Sequence, residues 1–74
     1  MPLNRAAQTL TTLPLGTRVV VRYRIAGGLT DALGYLRSAT DTQCMVETRT
    51  SEVVIDLTDV QAAKEVPPPP PRRP

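Results

Sequence analysis

The chain has 74 residues, 41% of them hydrophobic, with two tyrosines and neither Phe nor Trp. A chain this short makes one domain with a shallow aliphatic core, and it lacks the usual staples: a single cysteine closes no internal disulfide, and without histidine Cys44 has no partners for a zinc set. The formal charge of +2 traces to Arg72 and Arg73, since residues 15–66 carry six basic and seven acidic groups, which removes the simplest electrostatic case for a nucleic-acid binder.

Residues 1–14 mix Ala, Thr, Leu and Gln between Pro2 and Pro14. Leu3, Leu10 and Leu13 are loosely helical in spacing, and Asn4 is placed to cap a short turn. The segment reads as a flexible or loosely docked N-terminal arm, with a short helix as the alternative. Thr17 to Ala26 then alternates with period two. Val19, Val21, Tyr23 and Ile25 fall on one face; Arg18, Val20, Arg22 and Arg24 fall on the other, the pattern of a half-buried strand.

Gly27-Gly28 opens a turn expected to close around Thr30-Asp31. In the second strand, roughly Ala32 to Ala39, Leu33 and Leu36 are three residues apart and out of step. A bulge at the intervening Gly34 would return both leucines to the core and curl the sheet. Past the polar turn Thr40 to Thr42, two runs read as a hairpin, Gln43 to Thr48 and Glu52 to Leu57. Pairing Thr48 with Val53, Val46 with Ile55 and Cys44 with Leu57 puts all six on one face, and sets Arg49 against Glu52, Glu47 against Val54 and Met45 against Asp56 outside. Thr58-Asp59 begins one helical turn with Thr58 as its cap, and Val60 to Val66 is a last strand stopped by proline.

Four strands, a 3-10 turn and a fifth strand give an all-β fold: a small five-stranded SH3-like barrel over residues 15–66. An OB-like barrel fits less well, because no helix separates strands three and four. Residues 67–74 form a proline-rich tail. Pro67, Pro68, Pro69, Pro70 and Pro71 hold a polyproline II rod with no internal hydrogen bonds, and eight such residues span about 25 Å, which suits a tether. The longest purely apolar runs, such as Val19 to Val21, are three residues, against the ~20 of a spanning helix, so a soluble cytoplasmic chain is expected, in keeping with a free thiol.

Three features carry candidate chemistry. Arg22 and Arg24 share a strand face about 6.6 Å apart, a spacing that suits neighbouring phosphates; with Arg18, Arg72 and Arg73 they define a nucleic-acid reading, and a solvated outer face with cross-strand acids is its competitor. Near-neutral charge and few aromatics argue against nucleic acid as the partner. Val20, Met45 and Val54 point outward and would form a docking or dimerising patch if the fold gathers them. Pro67, Pro70 and Arg72 match the PxxPxR pattern of SH3 ligands, which a proline tract meets easily by chance. Cys44 reads as an inert core thiol, since no histidine is present to activate it. No acid/base pair, metal set or phosphate loop is legible, so no catalytic, cofactor-binding or metal residue is assigned.

The run Leu15-Gly16-Thr17-Arg18-Val19-Val20-Val21-Arg22-Tyr23-Arg24, then Leu29-Thr30-Asp31, Leu33-Gly34, Asp59-Val60 and the exit Ala62-Ala63-Lys64-Glu65-Val66 into prolines resembles a particular module. It is similar to the SH3-like barrel that precedes the catalytic domain in a group of actinobacterial GNAT N-acetyltransferases. The resemblance covers residues 15–73, with Ser51 where a hairpin glycine is expected and Leu57 where a proline is expected. It implies a parent that binds acetyl-CoA and acetylates an amine, with this segment docking, orienting or regulating the domain that follows. The glycine/arginine acetyl-CoA loop of that superfamily is absent here, so the cofactor belongs to the parent only. A stand-alone small barrel that binds nucleic acid or protein is the alternative.

Overall fold

The computed structural model describes residues 4–68. In chain order they form helix α1 (Arg5–Thr12), strands β1 (Arg18–Ile25), β2 (Gly28–Ala39), β3 (Gln43–Thr48) and β4 (Glu52–Asp56), a 3-10 turn (Leu57–Asp59) and strand β5 (Val60–Glu65). All strand pairs are antiparallel in one sheet of order β4-β3-β2-β1-β5. The fold is therefore mostly β, with five strands and the expected 3-10 turn before the last. The core is aliphatic: Val19 and Val21 from β1, Ala32 and Leu36 from β2, Cys44 and Val46 from β3, Ile55 from β4, then Leu57 and Val60.

The N-terminal residues are a correction. Arg5–Thr12 is not a flexible or loosely docked arm but a helix whose Ala7 and Leu10 are fully buried in the same core. Eight residues are too few for a helix to persist alone, so packing holds this one. Burial of Leu10 contributes on the order of 2 kcal/mol. Asn4 does double duty at the N-terminus: its Oδ1 accepts the Ala7 N–H (2.8 Å) and its Nδ2 donates to the Val60 carbonyl (2.8 Å), tying the helix cap to the start of β5.

The β1–β2 hairpin is tighter than expected. Ile25 pairs with Gly28 and Gly27 takes φ +88°, so Leu29, Thr30 and Asp31 belong to β2 and not to a turn. Nor does a bulge occur at Gly34. The irregularity in β2 falls at Arg37, between the pairs Leu36–Val46 and Ser38–Met45, and it brings Leu36 and Ala39 to the core side. Leu33 stays outside, 47% exposed. Gly34 serves a close approach instead. The β3 backbone comes so close that a Cβ there would strike the Glu47 carbonyl oxygen and sit 2.7 Å from its carbon and 2.9 Å from Thr48 Cα.

In the β3–β4 hairpin Cys44 faces Ile55, Met45 faces Val54 and Val46 faces Val53. The observed register is displaced by two residues from the expected one. A slip of two preserves every face, so Cys44, Val46 and Ile55 are buried as the alternation requires. The loop makes the choice: Thr48 N–H (2.8 Å) and its Oγ1 (2.8 Å) both donate to the Ser51 carbonyl, and Oγ1 accepts the Ser51 N–H (3.2 Å). Leu57 leaves the strand to enter the 3-10 turn, which starts from Asp56, not Thr58, and carries no side-chain cap. Its N–H donates to the Thr42 carbonyl (2.9 Å).

Candidate interaction surface

The side of β5–β1–β2 that faces away from the core is built in rows. Lys64, Val20 and Leu33 lie side by side, then Ala62, Arg22 and Asp31, then Arg24 beside Leu29. Arg22 Nε and Asp31 Oδ1 are 3.1 Å apart, both well exposed. This is the cross-strand acid that competed with a phosphate reading. Arg18 is engaged as well: its Nη1 donates to the Pro67 carbonyl at 2.7 Å, while Val66 N–H donates to the Arg18 carbonyl at 2.9 Å. Arg24 and Lys64 make no ion pair among the described residues. The arginine stripe is thus one paired cation, one backbone clamp and one unpaired cation. Two shallow hollows run along it, one lined by Val20, Arg22, Asp31, Ala62, Ala63 and Lys64, the next by Arg24, Gly27, Leu29 and Gln61 among others.

The outer side of β3–β4 has the opposite character. Glu47 faces Glu52, and Asp56 faces Gln43, whose Nε2 donates to its Oδ1 at 3.0 Å. Arg37 from β2 neutralises Glu47 (Nε to Oε1 2.6 Å) and stacks over the Tyr35 ring, 5.4 Å from its centroid. Met45 and Val54 are cross-strand partners here. Val20 is not with them: it pairs with Leu33, whereas Met45 pairs with Ser38, five residues on, roughly 17 Å along the strand. The fold therefore splits the trio, leaving Met45–Val54 on one half and Val20 on the other.

Leu29 (52% exposed) and Leu33 are the surface residues that the sequence reading missed. A turn closing around Thr30-Asp31 would include Leu29, and a bulge at Gly34 would bury Leu33. Carrying the outward alternation of β1 through a two-residue hairpin would have set Leu29 against Arg24 and Leu33 against Val20.

Cys44 is buried on β3, and burial pushes its thiol up to about 11, as suits a core residue. Among the described residues no group of three or more His, Cys, Asp or Glu is placed to hold a metal ion, and no helix is long and apolar enough to cross a membrane. Pro67 and Pro68 are exposed. Pro69, Pro70, Pro71, Arg72 and Arg73 lie outside the described residues, and with them most of the tether and the PxxPxR pattern.

A family model described as the Rv0428c N-terminal Sm-like domain matches residues 13–64. The matched span begins just after α1 and contains the whole sheet but for Glu65 at the end of β5. Its description names an N-terminal Sm-like domain and says nothing of acetyl transfer. No curated protein and no solved structure matches the chain.

Proposed function

This chain belongs to the family of the Rv0428c N-terminal Sm-like domain, and we propose that it is the non-catalytic accessory domain of a GNAT-type N-acetyltransferase, packing against and orienting a catalytic domain that follows in the same polypeptide. The observation that carries the reading is the exit of the chain. The last strand hands over to Pro67 through a pinned corner, where Arg18 holds Val66 by its carbonyl and Pro67 by its guanidinium. A stiff proline segment leaving a fixed point sets both direction and distance for what it carries. The family description adds support, since the matched domain is N-terminal in Rv0428c. The acetyltransferase identity of the following domain rests on the sequence resemblance. In this reading acetyl-CoA binds the catalytic domain, and the protein works in the cytoplasm.

The test is acetyl transfer by the native polypeptide with residues 1–74 present and deleted. Deletion is expected to lower transfer several-fold while acetyl-CoA still binds the remainder. Equal rates, or no acetyl transfer by the native polypeptide at all, would sink the reading.

A further inference from the structure

We propose that the outer side of β5–β1–β2 is the face on which the following domain seats, and that it accepts an acidic protein surface bearing apolar side chains. The inference rests on the accessory-domain reading and specifies its contact. Leu29 and Leu33, two of the five exposed large hydrophobic residues among the described residues, lie on this one face and flank Arg22–Asp31. Val20 and Ala62 extend the apolar strip across the neighbouring strands. Arg24 and Lys64 stand at its borders without acidic partners among the described residues. An apolar centre with a charged rim is the anatomy of a protein interface, and a cationic rim is complementary to carboxylates on the partner.

Two further observations favour a tethered protein over nucleic acid. Of the four cations here, Arg22 is neutralised by Asp31 and Arg18 is occupied by Pro67, so few are left for phosphates. Tyr35, the aromatic at this end of the face, already carries Arg37 on its ring and is poorly placed to stack a base. The exit of the chain also lies on this side, because Arg18 heads the same outward row of β1. A domain tethered there meets this face at high effective concentration.

The experiment compares amide spectra of residues 1–74 alone with those of the same residues labelled segmentally within the full polypeptide. Shifts are expected to concentrate at Val20, Arg24, Leu29, Leu33, Ala62 and Lys64. Leu33→Glu, at an exposed position that leaves the core intact, should return most of them to their isolated values, as for docking weakened about tenfold. Met45→Glu, on the other half, should leave them unchanged. Shifts gathered at Met45 and Val54, or none anywhere, would overturn this face; if deletion of the barrel still lowers acetyl transfer, the accessory reading survives that loss. Salt-sensitive shifts at these residues when oligothymidylate is added to the isolated chain would give the face to nucleic acid and overturn the proposal equally.

Discussion

The two halves of the sheet share one core and differ in what they show to the outside. Inward, β1–β2–β5 and β3–β4 supply the same kind of aliphatic side chain. Outward, the first half carries Arg18, Arg22, Arg24 and Lys64, with Asp31 paired to Arg22, among Val20, Leu29 and Leu33, whereas the second carries Glu47, Glu52 and Asp56 around Met45 and Val54. A solvated barrel has no need to segregate charge this way, and mixing both signs would serve solubility better. The segregation teaches that net charge was a poor guide: a nearly neutral fold can still present a basic face.

The largest expected effect breaks the junction between the halves. Gly34→Val drives a side chain into the Glu47–Thr48 backbone, so β2 and β3 must separate. We expect a loss of about 3 kcal/mol or more, enough that circular dichroism shows no cooperative melt in so small a domain. Next comes the helix. Leu10→Ala leaves a cavity under α1 and is expected to cost about 3 kcal/mol in urea unfolding, where an undocked arm would tolerate it freely. Asn4→Ala, which removes the cap and the bond to Val60, should cost about 1 kcal/mol by the same assay.

Cys44 tests the core that both halves share. Because burial raises its folded pKa to about 11 from its ordinary value of 9.0, the folded state favours the neutral thiol. The stability it contributes is fully present below pH 9 and is lost as pH rises through about 11. Urea midpoints measured over that range should fall in the native chain and stay flatter in Cys44→Ala; identical slopes would refute the assignment. The smallest effects concern the outer ion pairs. Double-mutant cycles on Arg22–Asp31, inside the basic half, and Arg37–Glu47, across the junction, should each give about 0.5 kcal/mol and shrink in high salt. A markedly larger value for Arg37–Glu47 would mean that this pair, and not only the ladder, holds the halves together.

Much of this was legible in the residues themselves. Alternation placed Val19, Val21 and Tyr23 of β1 and the inward set of the β3–β4 hairpin correctly, and Val60 after a short turn was readable as the start of a last strand, because period-two patterning is local and each residue reports its own face; Ile25, on the same face at the hairpin end of β1, lies past the core and is 45% exposed. The arginine stripe was legible as a stripe but not as a site: whether Arg22 is free depends on Asp31, nine residues away, and whether Arg18 is free depends on Pro67. Those answers belong to the tertiary structure. So does the β3–β4 register, since a slip of two leaves every face unchanged and only the hydrogen bonds of the Thr48–Ser51 loop distinguish the alternatives. The bulge sits at Arg37, while Gly34 marks a close backbone approach that no local pattern announces. Helix α1 exists because the open side of the core accepts Ala7 and Leu10, and eight residues with that composition carry too little helical preference of their own to declare it.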